Sequence, residues 1–157
     1  MAAANWLVLG LGNPLADADG FGPAVIECLR AMGGLPRGVE LIDVHTDLLG
    51  YIDRFAGRDH VILVDAMIAA NDWGIGVFSE ETFSTWDERS TGAHGLSALT
   101  AVKLFRRLRP PGTAPAFANP RITLVAHLVT EAEFSRVPEA AAVRAGAETV
   151  RFVLAHG

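Results

Sequence analysis

Hydrophobic positions along this chain fall into alternating strand-like and helix-like patterns. Trp6-Leu7-Val8-Leu9 is an apolar run of strand length that empties into a glycine-rich loop between Gly10 and Gly22. Beyond the loop, Val25, Cys28, Leu29 and Met32 recur at i, i+3, i+4 and i+7, the period of one helix face, and Gly33-Gly34 stops that helix. Val39-Glu40-Leu41-Ile42-Asp43-Val44 predicts a second strand, and Leu48 to Phe55 a short helix ended by Gly57. His60-Val61-Ile62-Leu63-Val64-Asp65-Ala66 is mostly β-branched or apolar, as a strand buried on both faces requires. The βαβαβ succession predicts parallel strands joined by right-handed crossovers.

The second half is less regular. Gly74 to Phe78 predicts a short edge strand after the turn signals Asn71-Asp72, whereas residues 80 to 93 are polar and without a clear period. A helix is predicted from His94 to about Leu108, with Leu99, Val102, Phe105 and Leu108 inward and Lys103, Arg106 and Arg107 outward. Arg109-Pro110-Pro111-Gly112 ends it, and the stretch from Pro110 to Pro120 reads as a surface loop. Ile122 to Ala126 predicts a further strand. A last helix turns Val143, Ala147, Val150 and Leu154 to the sheet and Arg144, Glu148 and Arg151 to water. No repeat, low-complexity tract or linker divides the chain, so residues 1–157 are read as one α/β domain.

Composition narrows the class. At 157 residues and 50% hydrophobic, the chain can bury one sizeable core. No apolar run approaches the roughly 20 residues that span a bilayer, and Met1-Ala2-Ala3-Ala4-Asn5 lacks the positive charge of a secretory signal. A cytoplasmic protein that does not engage a membrane is expected, acting as a monomer. A formal charge of −5 argues against a nucleic-acid partner, whose phosphates call for a basic surface. Cys28 is the sole cysteine, which excludes an internal disulfide and any multi-cysteine metal cluster, and its helical spacing marks it as a small buried hydrophobe.

The candidate chemistry lies where predicted strands end. In open parallel sheets ligands bind outside the carboxyl ends of the strands. Asp17 and Asp19 follow the first strand, Asp43 closes the second and Asp65 the third. A lone Asp before a helix is commonly a cap. Several acids around one crevice repel one another, and a cation or a shared proton offsets that repulsion. His94, within Thr91-Gly92-Ala93-His94-Gly95-Leu96, is by itself a cap, a solvated ring or a ligand. With the acids it completes a two-carboxylate, one-imidazole set suited to a borderline divalent metal such as zinc or nickel.

At these residues the sequence resembles the nickel-iron hydrogenase maturation endopeptidases. The resemblance is carried by Gly10-Leu11-Gly12-Asn13 followed by Asp17-Ala18-Asp19-Gly20-Phe21-Gly22, by Val64-Asp65-Ala66, and by His94-Gly95-Leu96. Leu41-Ile42-Asp43 with Thr46, and Ser135-Arg136-Val137-Pro138-Glu139 before the last helix, extend it over nearly the whole chain. It implies a three-layer α/β/α sandwich around a mostly parallel sheet of about five strands. It also implies a hydrolase that removes a short C-terminal extension from the nickel-loaded large-subunit precursor of a hydrogenase. Carried over by motif, the metal and catalytic residues are Asp19, Asp65 and His94, with Gly12, Asn13, Asp43 and His45 lining the substrate site. The nickel would arrive with the precursor, and zinc or cadmium would be able to occupy the same ligands.

Two departures stand out. His45 takes the place of the glycine in the family's Gly-Thr pair, as an added polar contact or an exposed loop histidine. Asp17-Ala18-Asp19 replaces an adjacent acid pair, and Asp19 is preferred as the ligand because it directly precedes Gly20-Phe21-Gly22. His127 follows the last predicted strand, and His60 and His156 read as surface residues. Substrate choice is expected to lie there and in residues 67 to 93. Three other readings compete with it. A nickel-sensing chaperone would use the same ligands without cleaving. A peptidyl-tRNA hydrolase-like enzyme shares Gly10-Leu11-Gly12-Asn13-Pro14, but its Thr-Arg-His-Asn segment is absent. A dinucleotide-binding module fails on spacing, since Pro14 and two acids stand where a pyrophosphate needs an uncharged helix start.

Overall fold

A computed structural model of the protein describes residues 5–12, 20–45, 48–70, 74–86, 98–108, 120–134 and 136–157. Five strands form one sheet: β1 (Trp6–Leu11), β2 (Val39–His45), β3 (His60–Ile68), β4 (Gly74–Ser79) and β5 (Arg121–Val129), in the order β2-β1-β3-β5-β4. β1 pairs in parallel with β2 and β3, and β3 with β5; β4 is antiparallel to β5 and forms the edge, as its short Gly-punctuated sequence predicts. Reversal of strand order at β1, between β2 and β3, makes the carboxyl end of β1 the topological switch point where ligands bind in such sheets.

Strand alternation sends successive residues to opposite layers. Leu7, Leu9, Val61, Leu63, Ile122 and Leu124 pack under α3 (Ala98–Leu108) and a 3₁₀ segment, Leu48–Phe55. Val8, Ile62, Val64 and Val125 pack under α1 (Phe21–Met32) and the long C-terminal helix α5 (Ala140–His156). The result is the expected α/β/α sandwich. Two single helical turns complete it: α2 (Glu80–Phe83), capped by the Ser79 hydroxyl accepting from the Thr82 amide, and α4 (Glu131–Phe134). Among the described residues no helix is long and apolar enough to cross a membrane.

Several local expectations change. Residues 80–83 form a helical turn that buries Phe83, although the segment has no readable period. Leu108, expected inward, is 63% exposed at the end of α3. Arg106, expected in water, is half-buried and donates two hydrogen bonds to the Glu80 carboxylate at 2.7 and 2.6 Å. Arg151 is also half-buried and donates to the Gly33 carbonyl at 3.2 Å, tying α5 to the end of α1. Cys28 is only partly buried, its thiol 3.7 Å from the Met32 sulfur. His127 lies within β5 rather than after it, and β3 continues past Ala66 to Ile68.

The largest correction is His60, read as a surface residue and found 2% exposed at the start of β3. Arg121 Nη2 donates to His60 Nδ1 at 3.2 Å, which leaves His60 Nε2–H to donate to Thr123 Oγ1 at 2.8 Å; Trp6 packs edge-on against the ring. Burial first, and the Arg121 charge second, push the imidazole down to about 4 from its ordinary 6.5. In the unfolded chain His60 takes up a proton as pH falls below 6.5, while the folded chain refuses it until about pH 4. This group's stabilisation is therefore complete above pH 6.5 and is lost progressively toward pH 4, by at most about 3 kcal/mol. Urea unfolding of wild type and His60→Gln at pH 7 and pH 4.5 checks this: the variant should have the flatter pH dependence, and equal slopes would refute it.

Candidate active site

The glycine loop leaves β1 at the switch point, and α1 returns from it onto the same strand. A Cβ built on Gly22 would stand 2.1 Å from the Leu11 carbonyl oxygen and 2.6 Å from the Val64 carbonyl oxygen. One on Gly10 would stand 2.6 Å from the Gly22 oxygen. These glycines thus let the first turn of α1 touch the backbones of β1 and β3. Phe21 is fully buried beside them, its ring 4.8 Å from that of His127.

Gly12 has φ 125, which favours glycine, and its amide donates to the His45 carbonyl at 2.7 Å. The ends of β1 and β2 are pinned together there, across a register shift between Gly10 and Leu11. His45 itself has φ 55, the only non-glycine residue with positive φ among those described. Glycine would adopt this backbone without strain, so His45 carries the strain. The Asp43 carboxylate accepts from the His45 amide at 3.2 Å and lies 3.6 Å from His45 Nδ1, holding the turn. His45→Gly should raise stability by about 0.5 to 1 kcal/mol, because relief of left-handed strain outweighs the extra unfolded-state entropy. Thermal or urea melts check this, and a destabilised variant would refute it.

Asp43 and Asp65, expected beside one crevice, do not share a face. Asp43 shares its face with Val39 and Leu41 and lines a small cavity with Gly20, Pro23 and Val143 on the α1 side. Asp65 alternates with Leu63 and Met67, which face the α3 layer. β2 and β3 flank β1, so the two acids also stand about 10 Å apart laterally. Asp65 is half-buried one step past the residue that pairs with Gly10, level with the end of β1, and its Oδ1 accepts the Ala66 amide at 2.8 Å. Asn13, Asp17, Asp19, Thr46 and His94 lie outside the described residues. Among the described residues no group of three or more His, Cys, Asp or Glu is placed to hold a metal ion.

Residues 67 to 93 carry no individual contact that is readable from their sequence. There the structure forms an apolar groove of about 1030 Å³ between the ends of β3 and β5, with Met67 and Leu128 on its floor and Phe78 and Trp86 on one wall. Alternation of strand residues with late aromatics is the only signal of it in the sequence.

Fold and site together define a doubly wound α/β domain with its carboxylate-bearing end at the switch point beside a strand–glycine loop–helix. No family model matches the chain. It is 36% identical over 63 residues to the hydrogenase 2 maturation protease of Escherichia coli (strain K12), covering 40% of this chain and 38% of that protein. It is 35% identical over 75 residues to the hydrogenase expression/formation protein HoxM of Azotobacter vinelandii, covering 48% of this chain and 34% of that one. The matches thus span little more than a third of the length of these curated relatives. The hydrogenase maturating endopeptidase HybD from E. coli has the same fold, with a TM-score of 0.71 at 22% identity over 97% of this chain and 93% of that one. Over part of its sequence this chain is similar to these hydrogenase maturation and expression/formation proteins, and over nearly its whole length it has the fold of HybD.

Proposed function

We propose that this protein is an endopeptidase that removes a short C-terminal extension from the nickel-loaded large-subunit precursor of a nickel-iron hydrogenase. The observation that carries the reading is the half-buried Asp65 level with the end of β1, in a fold shared with HybD. The relatives that match by sequence are named for hydrogenase maturation and for hydrogenase expression/formation.

On this reading Asp19, Asp65 and His94 hold the nickel that arrives in the precursor, two carboxylates and an imidazole being a donor set that suits it. The metal would supply Lewis-acid polarisation of the scissile carbonyl or of a water. Asp65 is pre-aimed by the Ala66 amide, which fixes one of its oxygens and so the direction of the carboxylate. Gly12 and His45, pinned to each other, form the rim, and Asp43 acts by holding the His45 turn on the opposite face. The protein would work in the cytoplasm as a monomer.

The test is the intact mass of the large-subunit precursor from the same organism before and after incubation with this protein, with nickel-free precursor alongside. Loss of a C-terminal peptide from the nickel-loaded sample alone is expected. Nickel-dependent binding without cleavage would favour a non-catalytic sensor instead.

A further inference from the structure

We propose that the apolar groove beside Asp65 is the subsite that seats apolar side chains of the substrate polypeptide next to the bond to be cleaved. This rests on the peptidase reading and adds what that reading lacks, the chemistry of the sequence that is recognised.

The groove is continuous with Asp65. Met67, on its floor, follows Asp65 by two residues on the same strand and face, so the floor begins about 7 Å from the carboxylate's Cα. Leu128 continues the floor on β5. The wall is built rather than incidental. Phe78 and Trp86 meet edge to face at 4.7 Å, and the Trp86 amide is held by the Phe83 carbonyl at 3.1 Å. The Phe78 ring lies over Gly76, where any Cβ would come within 2.5 Å of it, so Gly76 is what lets the ring swing to this side.

Size and lining select the occupant. At about 1030 Å³ the groove is at the top of the range of small-molecule pockets and exceeds what one side chain fills. Among the described residues that line it, Glu131 is the only charged one, and Met67, Ile68, Phe78 and Leu128 make that surface mainly apolar. A chain that must lay one peptide bond at Asp65 has to continue in some direction. An extended segment with apolar side chains running over Met67 and Leu128 toward Trp86 desolvates this surface, and Glu131 at the margin disfavours an acidic neighbour.

A fluorescein-labelled peptide spanning the cleavage site of the same organism's precursor, with versions in which each apolar residue is replaced by Ser, provides the probe. Its binding is measured by anisotropy to wild type, Trp86→Ala and Ala132→Trp. Ala132 is exposed at the groove margin, so the larger residue fills the groove without entering the core. Both variants should bind at least about ten-fold more weakly; one Ser replacement should cost wild type a similar factor but Ala132→Trp less than about two-fold, the coupling expected of groups in contact. Intact-mass cleavage by wild type separates the two ideas. Cleavage with peptide affinity unchanged in both variants overturns the groove and leaves the peptidase. Groove-dependent binding without cleavage of precursor overturns the peptidase, and with it the groove's place beside a scissile bond, and leaves a peptide-binding groove alone. Concentration-dependent dimerisation abolished by Ala132→Trp would place a second copy of this chain in the groove and also overturn the proposal.

Discussion

The Gly22→Ala protein is expected to lose at least about 4 kcal/mol of stability, or not to fold, although the exchange adds a better helix former. Two effects oppose each other. Alanine in a helix is favoured over glycine by about 1 kcal/mol. Against this, the new methyl would sit 2.1 Å from the Leu11 oxygen, 2.6 Å from the Leu11 nitrogen and 2.6 Å from the Val64 oxygen. All three are backbone atoms of the central strands, so no side chain can turn aside. α1 would have to lift by an ångström or more, loosening Phe21, Val25, Ile26 and Leu29 from the sheet together. Overpacking usually costs about 1 to 3 kcal/mol, and a rigid backbone neighbour puts this site beyond that range. Gly33→Ala is the control: its φ of 63 imposes strain, but its Cβ would meet nothing within 4 Å, so about 1 to 2 kcal/mol is expected. Urea unfolding of both variants checks this, and a Gly22→Ala protein as stable as wild type would refute the close approach of α1.

The same glycine marks how far the chain could be read before its structure. The loop's glycines were legible as a place of tight turning, but that Gly22 serves helix–strand contact is visible only once Leu11 and Val64 lie beneath it. Elements with strong periodicity, α1 and β3 above all, were legible because each carries its own burial pattern. Residues whose environment comes from a distant partner were not. His60 reads as solvent-facing at a strand start until Arg121 and Thr123, more than sixty residues later, close over it. Arg106 reads as an outer-face charge until Glu80, in a segment without period, pairs with it. The acids show the same limit one level higher. That Asp43 and Asp65 both fall near strand ends is a local fact; that they face opposite layers depends on the order of strands, the register and the bulge between β1 and β2. The groove is the extreme case, its surface assembled from β3, β4, β5 and the turns after them.

On the proposed peptidase reading, Asp65→Asn is expected to reduce processing of the nickel-loaded precursor by at least about a hundred-fold, the scale on which removing one catalytic acid–base or electrostatic group acts. Stability should change by less than about 1 kcal/mol, since the amide oxygen can still accept the Ala66 amide and the side chain is only half-buried. The exchange therefore removes the charge while keeping the side chain's shape and an acceptor for the Ala66 amide. Asp43→Asn is the matched comparison: it too keeps an acceptor for the His45 amide, but it stands on the α1 side of the sheet, and its processing rate should stay within about ten-fold of wild type. The pair separates proximity to the switch point from participation in the chemistry, because both carboxylates lie near β1 and only one shares the face of the groove. Single-turnover cleavage followed by intact mass, with circular dichroism melts of both variants, provides the measurement. If Asp65→Asn cleaves at the wild-type rate, Asp65 is not part of the reacting site. Were Asp43→Asn the variant that failed while remaining folded, the site would lie on the α1 side, with the small cavity beside Gly20 and Pro23 as its centre.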